Sequence, residues 1–215
     1  MKVNKKYKGL VTKKFNEFYL VELDKDATSV VNKKFLCKIK KSVNFRNQFV
    51  FVGDEVIVYQ IDLQSKRATI ESLVKRNNLL ERPSVANISN IYVICSVEEP
   101  KLNLSQVNKF LISSEQLGVE VSLVLTKCDL ITEEKRLLLI EKFHQWGYQA
   151  ITLNLNNPEN LRTLLIELKK KKCSIFMGPS GVGKTTLLNM IIPGLDNKTA
   201  PVSSKIKRGK NTTRN

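Results

Sequence analysis

The sequence predicts an α/β chain in two parts, a small closed β-barrel followed by a doubly wound parallel sheet. Three observations carry that expectation. Residues 1–75 hold five short β-branched or aromatic runs separated by turns, with no helical period. Residues 85–215 alternate strand-like and helix-like runs, the pattern of βαβ units with right-handed crossovers. The second part also carries two short motifs in an unusual order, TKCD at 126–129 and then GPSGVGKT at 178–185.

In the first part, strands are expected at 9–13, 18–23, 35–40, 55–60 and 68–73, with Val52, Gly53 and Asp54 as a turn before the fourth. Five strands in so short a span fit an OB-type barrel, a fold that binds RNA on one face by combining cations with aromatic stacking. Tyr7, Phe15, Phe18, Tyr19, Phe35, Phe45, Phe49, Phe51 and Tyr59 supply the aromatics, most of them for the core. Residues 76–84 are expected as a linker. A strand at 91–97 then leads to a helix at 104–117 with Leu104, Val107, Phe110, Leu111 and Leu117 on one face. A β-branched strand at 119–125, a helix at 132–146 and a strand at 148–153 follow. The next helix opens with Asn157 as cap and Pro158 at its first position, and it presents Leu161, Leu164, Leu165 and Leu168. It runs into a buried strand at 173–177.

That strand delivers the chain to the G-x-x-x-x-G-K-[ST] pattern formed by Gly178, Gly183, Lys184 and Thr185, and helical spacing resumes at Leu187, Leu188, Ile191 and Ile192. Strand, loop and helix together make a phosphate loop. Gly178, Pro179, Ser180, Gly181, Val182, Gly183, Lys184, Thr185 and Thr186 are the expected phosphate-binding residues. Their amide N–H groups turn inward at a helix N-terminus, Lys184 reaches the outer phosphates, and the Thr185 hydroxyl holds Mg²⁺. A Gly-rich turn with a chance lysine is the plainer alternative, and the flanking strand and helix weigh against it. Thr126, Lys127, Cys128 and Asp129 are the expected guanine-binding residues. The Asp129 carboxylate can accept from the ring N–H and exocyclic amine of guanine, a donor pair that adenine lacks. Alone, Asp129 could equally cap the following helix. In an ordinary GTPase the phosphate loop precedes the base-reading motif, so the reversed order implies a circularly permuted P-loop GTPase domain.

Composition fits this scheme. Against 20 acidic residues stand 36 basic ones, a net charge of +16 that calls for a polyanionic partner. The excess clusters at Lys5, Lys6 and Lys8, at Lys13 and Lys14, at Lys33 and Lys34, at Lys38, Lys40 and Lys41, and again in the tail at Lys205, Lys207, Arg208, Lys210 and Arg214. Solvated lysine faces are the alternative reading. No apolar run approaches the ~20 residues of a membrane span, and the N-terminus lacks a signal-peptide core, so a cytoplasmic location, or an organelle stroma for a plastid-encoded chain, is expected. Cys37, Cys95, Cys128 and Cys173 are scattered and His144 is the lone histidine, which gives neither a disulfide framework nor a zinc site.

The VGD turn, the junction RNNLLERPSVANI at 76–88, TKCDL, GPSGVGKTTLLN and RGKNTTR at 208–214 together resemble the RsgA/YjeQ family of circularly permuted GTPases that act in small ribosomal subunit assembly. The resemblance implies an N-terminal OB domain, a permuted G domain and a C-terminal zinc domain. It implies GTP hydrolysis coupled to the 30S subunit, with GTP as substrate, Mg²⁺ as cofactor and 16S rRNA as the principal contact of a monomer. Thr212 or Thr213 would be the second Mg²⁺ ligand. Departures from the family pattern are Asn211 and Arg214 in the switch, where relatives carry His and Thr, and Asn154 and Leu155, where relatives carry a Ser-Ala pair.

The sequence stops at Asn215, ahead of the DxPG motif and zinc domain of the family, so the parallel sheet is expected to be incomplete and no zinc ligands are expected. Losing the strands that follow would leave 173–177 as an exposed apolar edge, an aggregation-prone feature. On that reasoning the chain is a fragment or degenerate copy, unless a partner covers the gap. No catalytic side chain is assigned. A GTPase of 30S maturation is favoured, with a non-catalytic GTP- and RNA-binding fragment as the rival and an ATP-using P-loop enzyme disfavoured by Asp129.

Overall fold

The computed structural model describes residues 2–3, 5–24, 33–40, 49–154 and 158–192, in two compact units that divide between Ile88 and Ser89. In the first unit, β1 (Lys2–Val3), β2 (Tyr7–Phe15), β3 (Phe18–Leu23), β4 (Lys34–Ile39), β5 (Glu55–Asp62) and β6 (Arg67–Leu73) form one sheet. The antiparallel pairs β5–β2, β2–β3 and β3–β4, the parallel pair β4–β6 and the antiparallel pair β6–β5 close a five-stranded barrel, with β1 added along β5. Closure removes sheet edges. Alternation along each strand sends Val11, Val21, Phe35, Val58, Ile61 and Ile70 into a common core.

The segment 76–88 is not a bare connection. It contains β7 (Leu79–Leu80) and β8 (Val85–Ala86), a short hairpin that sits on the barrel through a parallel bridge between Val85 and Val52. Gly53 allows that approach twice over: its φ of 87° belongs to the left-handed region, and a Cβ there would lie 2.1 Å from the Ala86 carbonyl oxygen. Beside it, Asp54 is fully buried and accepts hydrogen bonds from Arg76 Nε at 2.6 Å, Arg76 Nη2 at 2.7 Å and the Phe51 amide at 2.7 Å. Arg76 also donates to the Phe49 carbonyl, and its hydrogen bonds to Asp54 raise its pKa further. A carboxylate with no exposure is tolerated because charged and neutral donors surround it.

The second unit is a parallel sheet in the order β11-β10-β9-β12, with β9 (Asn90–Ser96), β10 (Glu120–Thr126), β11 (Ala150–Leu153) and β12 (Ser174–Met177). The connections run through α1 (Leu104–Glu115), α2 (Glu133–Gln145) and α3 (Pro158–Lys170), and α4 (Lys184–Ile191) follows the last strand. Asn103 and Thr132 cap α1 and α2, accepting from the amides of Gln106 and Lys135. Every residue of β9 is buried, as a central parallel strand covered on both faces requires. Tyr92, Ile94, Val124 and Leu153 pack with Leu161 and Leu164 of α3 and Leu187 of α4, while α1 lies on β9 and β10. Ser89 anchors the start of β12, donating to the Cys173 carbonyl at 2.8 Å and accepting from its amide at 3.0 Å. Among the described residues β12 pairs with β9 alone, and its four residues are half-buried. No described helix is long and apolar enough to cross a membrane.

Arg76→Ala would leave Asp54 a buried, uncompensated charge, so the barrel is expected to lose about 3 kcal/mol of stability, read as a lower midpoint in its urea transition.

Candidate nucleotide-binding site

The two sequence motifs lie at the carboxyl ends of β10 and β12, strands that flank β9 and run about 10 Å apart, two strand spacings, so both lie at the same end of the sheet. Ligands bind at that end in open parallel sheets. Where β12 stops, the chain leaves the sheet at Gly178, whose φ is 146° and whose Cβ, if present, would lie 2.1 Å from the Ile94 carbonyl oxygen. Only glycine fits against that strand. Gly181 and Gly183 continue the loop with φ of 82° and 94°. Gly183 is also the N-cap of α4, and no side chain caps the helix, so its first-turn amides keep their capacity to bind an anion.

Lys184 folds back along this loop. Its Nζ donates to the Gly178 carbonyl at 3.0 Å and to the Pro179 carbonyl, and burial pushes its pKa down. The loop carbonyls therefore hold the ammonium inside the curve that a phosphate would fill. An anion there would offset the desolvation that disfavours its charged form. Thr185 is half-buried at the start of α4 and Thr186 is exposed, while Pro179, Ser180 and Gly181 line the loop half-buried.

Thr126, expected among the guanine-binding residues, turns its side chain into the sheet. It is fully buried, and its hydroxyl lies 2.7 Å from the Val182 carbonyl oxygen and 3.2 Å from that of Cys95. A hydroxyl has one proton, which goes to the nearer acceptor. Val182 is itself packed into the sheet core, so Thr126 ties the phosphate loop to the end of β10. Lys127 turns the chain with a left-handed φ of 57°, and its Nζ donates to the Glu99 carbonyl. Cys128 is half-buried, its thiol pKa is raised by burial, and it lines the same cleft as Asp129. Asp129 stands exposed in a single 3₁₀ turn, Cys128–Leu130, at the edge of a cleft of about 200 Å³ that Arg136, Thr152 and Asn154 also line.

Thr212, Thr213, Asn211 and Arg214 lie outside the described residues, as does Leu155. Sequence reasoning missed the carbonyls of Ile94, Cys95 and Glu99 and the side chain of Arg136, which donates to Glu133 at 2.9 Å and to Thr152 at 3.4 Å. Backbone carbonyls carry no signature in a sequence, and Arg136 reads there as an ordinary helix-surface residue.

A closed OB-type barrel followed by a parallel sheet in which the base-reading turn precedes the phosphate loop defines a circularly permuted P-loop GTPase. The family model for RsgA GTPases matches residues 71–215. A small ribosomal subunit biogenesis GTPase RsgA of Prochlorococcus marinus is 38% identical over 216 residues, spanning 97% of this chain and 69% of that protein. The crystal structure of YjeQ from Thermotoga maritima superposes with a TM-score of 0.78 at 28% identity, covering 90% of this chain and 68% of that one. That of YloQ, a circularly permuted GTPase, shares the fold with a TM-score of 0.73 at 22% identity, over 86% of this chain and 64% of that one. The chain belongs to the RsgA GTPase family.

Thr126→Val keeps the shape of the side chain but leaves the Val182 carbonyl without its donor, so the second unit is expected to lose about 1–3 kcal/mol in thermal unfolding. An unchanged transition would show that the tie between the two loops is idle.

Proposed function

We propose that this protein binds and hydrolyses GTP during maturation of the small ribosomal subunit, with 16S rRNA as a contact of its basic barrel. The observation that carries the reading is the pair of motifs at the ends of the two strands that flank β9, with the uncapped N-terminus of α4 and Lys184 at one side and the Asp129 carboxylate at the other. The amides of residues 178–183 and the first turn of α4 take the β- and γ-phosphates, and Lys184 moves from the loop carbonyls to the phosphate oxygens. Asp129 accepts from the guanine ring N–H and amine, and Lys127 lies along the base.

Among the described residues no cluster of histidine, cysteine and carboxylate groups could hold a metal. Mg²⁺ fits this donor set all the same, because it is bound chiefly by phosphate oxygens and water with few protein ligands. Thr185 would hold the ion, with Thr212 as the second protein ligand, and Mg²⁺ would supply positive charge that neutralises the phosphates.

Hydrolysis is an in-line attack of water on the γ-phosphorus, helped mainly by positioning and charge stabilisation. Residues 178–186 contain no carboxylate, histidine or glutamine to orient that water. Turnover of the free protein is therefore slow, and the subunit accelerates it by ordering the switch. The protein acts as a monomer in the cytoplasm.

The direct test is GTP hydrolysis with and without purified small subunits: stimulation by subunits is expected, and no hydrolysis in either condition would favour a purely binding role. Asp129→Asn is expected to move nucleotide preference from guanine to xanthine, measured by competition binding. Unchanged preference for GTP would remove Asp129 from the base site.

A further inference from the structure

We propose that the corner of the barrel formed by Phe49 and Phe51 is a stacking site for an unpaired base of single-stranded RNA, an inference that rests on the barrel being the RNA-contacting part. Phe49 is 71% exposed, and its ring centroid lies 6.4 Å from that of Phe51. Phe51 has Lys14 Nζ at 5.7 Å and Arg76 Cζ at 5.0 Å from its ring centroid, so cations flank the aromatic pair. Lys13 and Lys14, at the end of β2, are exposed.

The corner is also held in place. Arg76 donates to the Phe49 carbonyl and Asp54 accepts from the Phe51 amide at 2.7 Å, while the same Asp54 holds the Arg76 guanidinium in a bidentate pair. The Phe51 backbone is thus held by the buried carboxylate and the Phe49 backbone by the arginine paired with it. Fixing a contact before binding lowers the entropy lost on binding. A fixed aromatic face among cations matches a base attached to a phosphodiester, since the ring stacks and the ammonium groups meet the backbone. Duplex RNA does not offer this partner, because its base faces are already stacked on one another.

The test uses the full chain with Phe49→Trp in a Trp146→Phe background, which makes position 49 the only tryptophan. Oligouridylate and an RNA duplex of equal length are titrated at several salt concentrations, with heparin as a sequence-free polyanion. Oligouridylate is expected to quench the fluorescence, and duplex and heparin to leave it unchanged. Phe49→Ala is expected to weaken oligouridylate binding about tenfold with the same salt slope, whereas Lys14→Ala should reduce that slope by about one. Binding of oligouridylate without quenching, equal quenching by duplex or heparin, or full affinity in Phe49→Ala would overturn the stacking site while leaving the barrel an RNA-binding surface. Absence of any RNA binding would overturn both.

Discussion

The hydrogen bond from the Thr126 hydroxyl to the Val182 carbonyl, 2.7 Å long and joining residues 56 apart, is the constraint on which the second unit depends. It ties the end of β10 to the phosphate loop across β9. It works because both atoms are buried, where a neutral hydrogen bond is strong and an unpaired carbonyl is costly. With that bond in place, Asp129 three residues downstream and Lys184 two residues further along the loop belong to one frame. The spacing between the base-reading and phosphate-binding ends is then set by the sheet, since two parallel strands on either side of β9 cannot slide independently.

A related device organises the barrel. Asp54 is a buried charge whose three donors come from Arg76 and the Phe51 amide, and the turn at Gly53 admits the Ala86 strand because it has no side chain. In each unit a residue with no exposure and a glycine pressed against a carbonyl oxygen hold the loops that face outward. The close parallel between Gly53 against Ala86 and Gly178 against Ile94 shows the same steric solution used for a structural corner and for a phosphate loop.

Much of this was legible in the sequence wherever the determinant is local. The strands of the barrel and sheet follow from runs of β-branched residues, and α3 begins at Pro158 as the proline predicts, while its expected cap Asn157 lies outside the described residues. The phosphate loop follows from four residues whose roles are steric and electrostatic. What depends on distant partners was not legible. Arg76 meets Asp54 across 22 residues, Ser89 meets Cys173 across 84, and neither pair has a local pattern. The hairpin of β7 and β8 was hidden because its strands are two residues long and Pro83 between them reads as a connection. Thr126 belongs to the base-reading motif, and the inward turn of its hydroxyl to the Val182 carbonyl, a partner 56 residues away, has no local signature. Among the aromatics, the outward face became visible only once the barrel closed, burying Phe35 and Tyr19 and leaving Phe15 and Phe49 exposed.

The central claim is that one cleft grips a triphosphate with backbone amides and Lys184 and selects guanine with Asp129. Calorimetric titration of the protein with GTP and with ATP, each with Mg²⁺, tests it most directly. The account predicts one site per chain, saturable by GTP, with ATP at least a hundredfold weaker; equal binding of the two, or binding of neither, would contradict it.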